Sequence, residues 1–129
     1  MIRALESIDM SLPLRERMIA AVEVTQVRLR RVFRLFIAMR LVRPPQWKGD
    51  PDEEVRRKED EARTAAAFLA LLGPDAAQLR YSPEEVSHRM RLITFSATHP
   101  MISDGRPLTA EEIVDFALDG VRIHNSGDC

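Results

Sequence analysis

Proline placement constrains this chain more than any other feature. Eight prolines stand in 129 residues, and nearly all mark where a helix can start or must stop. Proline fits the first turn of a helix, lacks the N–H an interior position needs, and drives the residue before it out of helical backbone. Ser11-Leu12-Pro13 reads as a start, with a hydroxyl cap ahead of proline. From Pro13 to about Leu41 nothing breaks the run, and Pro44-Pro45 ends it. Asp50-Pro51-Asp52-Glu53 opens a second long helix with a capping box, and Gly73-Pro74 closes it. Ser82-Pro83-Glu84-Glu85 opens a third, which stops before Pro100. Thr109-Ala110-Glu111-Glu112 opens a fourth, predicted to run to about His124. Shorter helical pieces are expected at Ile2–Asp9 and Pro74–Leu79.

Between these marks the apolar residues follow a helical period. Leu14, Met18, Val22, Leu29, Val32, Phe36 and Met39 share one stripe of the long helix. Acid-before-base pairs Glu53–Arg57, Glu54–Lys58 and Glu59–Arg63 support the second. The class is all-α: one helical domain over residues 1–129, with residues 125–129 as a frayed tail. The balance of 45% hydrophobic and 30% charged residues is that of a folding chain rather than a disordered one.

The two C-terminal helices are apolar on too many sides. Val86, Met90, Ile93 and Ala97 form one stripe of the helix after Ser82, while Leu92 and Phe95, flanked by His88 and His99, form another on roughly the opposite side. The last helix keeps a narrow polar strip at Glu111, Asp115, Asp119 and Arg122, with apolar residues over most of its circumference. Such helices are buried on two sides. Central burial in one subunit satisfies this. So does a two-helix face meeting its symmetry mate in a four-helix homodimer interface. The interface candidates are Leu92, Phe95, His99, Ile113, Phe116, Ala117 and Gly120, the glycine permitting close backbone approach.

Several function classes are disfavoured. The net charge is −1, without the basic surplus of a nucleic-acid binder. The single cysteine, Cys129, excludes an internal disulfide and paired-cysteine zinc motifs, and no apolar run approaches a membrane span. A cytoplasmic protein is expected, with no cofactor or metal. The five glycines stand apart, so there is no phosphate-cradling loop. No nucleophile elbow or metal-binding histidine pair occurs, and an enzyme is not expected.

The stretch Leu79-Arg80-Tyr81-Ser82-Pro83-Glu84-Glu85, then His99-Pro100, then Pro107-Leu108-Thr109-Ala110-Glu111-Glu112-Ile113-Val114 resembles the C-terminal region of TetR/AcrR transcriptional regulators. There a Leu-Arg-x-x-Pro-Glu-Glu start, a His-Pro stop and a Pro-Leu-Thr-x-Glu-Glu-Ile-Val start recur in that order. Leu12-Pro13-Leu14-Arg15-Glu16-Arg17 and the long helix after it fit the family's ligand-domain entry, so the resemblance covers nearly the whole chain. It implies an effector-binding, homodimerising regulatory domain, such as that of a repressor, which contacts DNA only through an N-terminal helix-turn-helix head. The chain begins where that head is expected to have ended already. A piece of a longer regulator is the favoured reading, a head-less relative the other.

The resemblance also implies an intra-subunit pocket for an apolar or amphipathic small molecule. Phe33, Phe36, Met39, Arg40, Trp47, Phe68 and Met90 are the candidates, since aromatic and methionine side chains suit an adaptable cavity. The same residues make an ordinary core. Arg40 is suited to an acidic effector and equally to a helix end near solvent. His88 and His99 fit a ligand contact, or a satisfied interface or helix-end position. Arg28, Arg30, Arg31 and Arg34 read as solvated. The alternative function is a helical interaction and dimerisation module with no small-molecule ligand, such as a head-less partner of a full-length regulator.

Overall fold

A computed structural model describes residues 1–39 and 50–123. The fold is all-α: α1 (Ile2–Glu6), α2 (Leu14–Ala38), α3 (Pro51–Leu72), α4 (Pro83–Thr98) and α5 (Ala110–Val121), with a 3-10 turn at Gly73–Gln78 between α3 and α4. No strand occurs among the described residues; the one β-type contact is a bridge between Leu79 and Arg122.

The proline-led starts hold, with differences in how they are capped. Thr109 forms the full capping box. Its hydroxyl accepts from Glu112 N at 3.1 Å, and Thr109 N donates to Glu112 Oε1 at 3.0 Å. Ser82 caps α4 by accepting from Glu85 N, but the Glu85 carboxylate takes a charge-assisted bond from Arg89 Nε at 2.8 Å instead of closing the box. Asp50 caps α3 through Asp52 N rather than pairing with Glu53. Ser11 does not cap α2: its hydroxyl donates to Asp9, and Pro13 stands at the N-cap without a side-chain bond. Of the three predicted pairs on α3, Lys58 meets Glu54 at 3.6 Å. Arg63 instead bonds Glu6 of α1 through Nε at 2.6 Å, a fork-to-carboxylate geometry that ties two elements together.

α5 stops at Val121, short of the predicted His124. Arg122 and Ile123 run extended beside the segment after the 3-10 turn, where Arg80 N donates to Val121 O and Ile123 N to Gln78 O. Backbone pairing there replaces the next helical turn. His124, and the frayed tail expected at 125–129, lie outside the described residues.

Two apolar clusters surround α2. The larger joins Leu14, Met18 and Val22 to Val86 and Met90 of α4 and to Ile113, Val114, Ala117 and Leu118 of α5. Val86, Ile113 and Val114 are fully enclosed, worth roughly 1.5–3 kcal/mol each against exposure. The smaller cluster joins Leu5, Ala21, Ala67 and Leu71 under α1 and α3. α3 enters the core only through its C-terminal half. From Pro51 to Arg63 every residue is exposed, as expected of a stretch almost without apolar side chains.

Candidate functional site

Two surfaces offer more than packing. The first is the outward side of the α4–α5 pair. With Ile113, Val114, Ala117 and Leu118 committed to the core, Phe116 projects the other way and is 72% exposed. On α4, Leu92 is 57% and Phe95 42% exposed. An open groove of about 480 Å³ runs beside them, where Leu92, Ile93 and Ala97 face Ile102 and Leu108 of the connecting loop. The loop itself is firmly held. Asp104 and Gly105 both take left-handed backbone, with φ 53° and 71°, the conformation an Asp-Gly turn supplies cheaply. Gln26 of α2 donates through Nε2 to Thr98 Oγ1 at 3.2 Å and to Leu108 O at 2.9 Å, gripping both ends of the loop.

The second surface is an open groove of about 530 Å³ between the polar half of α3 and the N-terminal end of α1, α2 and α4. α2 and α4 each contribute one arginine to it, Arg28 and Arg91. The α3 wall is mixed, with Arg56 and Arg57 beside Glu53, Asp60 and Glu61. Phe68 lines this groove, and also lines a small apolar cavity of about 30 Å³ shared with Met18, Leu72 and Met90. The cavity has room for about one water-sized probe. It lies where the two apolar clusters meet.

The predicted pocket residues therefore divide. Phe68 and Met90 come together at the cavity. Phe33 is buried elsewhere, edge-on to Phe95 at 5.0 Å and to His99 at 4.6 Å, so it anchors the end of α4 and lines no cavity with Phe68. Phe36 is half-buried, and Met39 is 56% exposed; the long helix outruns the bundle that would cover it. Arg40 and Trp47 lie outside the described residues. The predicted interface residues also divide. Leu92, Phe95, Phe116 and Gly120 are exposed, whereas Ile113 and Ala117 are buried in the subunit's own core. His99 is half-buried between Phe33 and Phe95. Its Nδ1 accepts from Met101 N at 3.2 Å and Ile102 N at 3.4 Å, the helix-end role. His88 is exposed, as are Arg28, Arg30, Arg31 and Arg34.

Two polar residues escaped sequence reading. Gln26 is 2% and Arg17 3% exposed. Arg17 Nη2 donates to Asp75 of the 3-10 turn. The signal was available: Gln26 continues the i, i+4 row of Leu14, Met18 and Val22, and a polar residue on a buried row must have a partner. Charged groups elsewhere pair at the surface. The Arg15 guanidinium holds the Asp115 carboxyl below its ordinary range, through a hydrogen bond of 2.7 Å and its charge. Arg63 does the same to Glu6, and Arg89 to Glu85. Asp115, on the polar strip of α5, is exposed and also ties α5 to α2.

No group of three or more His, Cys, Asp or Glu among the described residues is arranged to hold a metal ion. Among the same residues no helix is long and apolar enough to cross a membrane. The chain matches no family model, no curated protein and no solved structure.

Proposed function

We propose that this chain is the effector-binding and dimerisation domain of a cytoplasmic, non-enzymatic regulator of the TetR/AcrR type, acting on DNA only through a helix-turn-helix head outside this sequence. The observation that carries the reading is the outward face of α4 and α5. Leu92, Phe95 and Phe116 remain exposed after both helices have filled the core, and a two-helix face of this kind suits a twofold four-helix interface. Gly120 supports it. A Cβ added there meets nothing within 4 Å among the described residues, so no contact among them calls for a glycine, whereas close approach of a second copy would. The effector site is the groove and cavity around Phe68.

Sedimentation equilibrium across a wide concentration range tests the dimer. The native chain sediments as a dimer, and Phe116→Glu as a monomer with unchanged helicity. A native monomer at every concentration would overturn the regulatory reading. A dimer that also binds no small molecule would favour the alternative, a helical interaction module; the open Ile102–Leu108 groove beside Leu92 is the feature such a module would use.

A further inference from the structure

The groove between α3 and the α2–α4 wall is polarised, and its floor leads inward. Arg28 and Arg91 are exposed and have no ion pair among the described residues. No carboxylate of α2 or α4 shares the groove with them, since all three acids that line it belong to α3. Two guanidiniums from one wall, without partners, suit a carboxylate better than a neutral polar group. The groove volume of about 530 Å³ falls within the range of small-molecule sites. Phe68 lines both this charged entrance and the small apolar cavity. Behind it lie Met18 and Met90, unbranched side chains that repack at little cost. The cavity of about 30 Å³ is too small for any effector as it stands. A rotation of the half-buried Phe68 ring opens it to the groove along the seam where the two apolar clusters meet.

We propose that the site takes a small amphipathic carboxylate. Its anionic head is held by Arg28 and Arg91, and its hydrocarbon tail displaces Phe68 to enter the seam between Met18 and Met90. This rests on the effector-binding reading above and names the class of effector.

Isothermal titration calorimetry with decanoate, decan-1-ol and acetate tests it on the full chain. Decanoate binds, decan-1-ol binds about tenfold or more weakly, and acetate does not bind measurably, because head and tail both contribute. The double substitution Arg28→Ala/Arg91→Ala changes two exposed side chains. It lowers decanoate affinity to that of decan-1-ol and leaves decan-1-ol unchanged. Raising salt from about 0.05 M to about 0.5 M weakens decanoate selectively. Phe68→Trp, which narrows the entrance, weakens both ligands together; if that variant fails to fold, Met90→Phe fills the seam from the other side and gives the same result. Equal affinity for decanoate and decan-1-ol, with loss of both in Phe68→Trp, would overturn the anionic class while the effector site stands. Binding of neither ligand would overturn the site itself. The sedimentation result on the α4–α5 face bears on the dimer separately.

Discussion

Replacing Asp75 with alanine strips the Arg17 guanidinium of its one anionic partner. The Arg17 side chain is 4% exposed and Asp75 19%, so water reaches the carboxylate more readily than the guanidinium. Removing one member of a buried pair costs about 3–5 kcal/mol, because the other charge stays buried without compensation. The partial exposure of Asp75 places this case near about 3 kcal/mol. Asp75→Ala also frees Gln78, whose amide donates to Asp75 Oδ1 at 3.2 Å. The reverse substitution is different. Among the described residues Arg17 Nε and Nη1 are buried without a partner, so Arg17→Met removes two such donors along with the charge, and the partly exposed Asp75 regains water. Its cost is about 0–1 kcal/mol. The double variant should match Arg17→Met, giving a coupling equal to the Asp75→Ala cost, about 3 kcal/mol. Urea unfolding followed by far-UV circular dichroism, at one fixed protein concentration, reads the four stabilities from midpoints at constant slope. Asp75→Ala costing no more than about 1 kcal/mol, the range of a solvent-exposed pair, would refute the reasoning. So would Arg17→Met proving the worse of the two.

Gln26→Leu removes the grip on both ends of the 99–109 loop. It should cost about 1–3 kcal/mol through the Leu108 carbonyl left unbonded, with faster amide exchange confined to that loop and the last turn of α4. Acidification should destabilise the chain through Glu6, Glu85 and Asp115. Their folded-state values lie below the ordinary 4.5 of glutamate and 3.8 of aspartate. The stability they confer is therefore complete above the ordinary values and drains away as pH falls through the lowered ones. A denaturation midpoint that stays flat from pH 5 to pH 3 would contradict this. Gly120→Ala should stabilise a monomeric Phe116→Glu background by up to about 0.5–1 kcal/mol, seen as higher helicity and a higher thermal midpoint, yet weaken the native dimer, as read by sedimentation; equal effects in both backgrounds would remove Gly120 from the interface.

The helices were legible because their punctuation is local. Pro51, Pro83 and the Thr109–Glu112 box each act within one turn, and a chain that must satisfy its first N–H groups has few other ways to do so. The double-sided character of α4 was legible for a similar reason, since Leu92 and Phe95 against Val86 and Met90 is a property of one helix. Sequence reading failed where a decision depended on which helix lies opposite. Phe33 and Phe68 look alike on a helical wheel, but Phe33 meets Phe95 and His99 while Phe68 meets Met18 and Met90. Ile113 and Phe116 are both apolar members of α5, and only the placement of α2 sends one to the core and the other to solvent. Arg63 had two acidic choices, Glu59 one turn away and Glu6 on α1, and the fold selected the distant one.

Those long-range decisions converge on α2. Within its first half Arg15 ties α5 through Asp115, Arg17 ties the 3-10 turn through Asp75, and Gln26 ties the α4–α5 loop through Leu108. About three turns of the same helix separate Arg17 from Arg28 of the charged groove, with Met18 and Val22 at the internal seam between them. A ligand that displaced Phe68 and parted Met18 from Met90 would therefore press on an element that also helps to hold the loop beside Leu92. In the proposed regulator, this gives a contiguous physical route from the groove to the α4–α5 face: a packed helix whose polar anchors are few and individually removable. The route is testable at Gln26. In Gln26→Leu, decanoate binding should survive while its effect on the monomer–dimer equilibrium is lost; an effect of unchanged size would mean that the groove reaches the α4–α5 face by another path, or acts directly through α4 and Arg91.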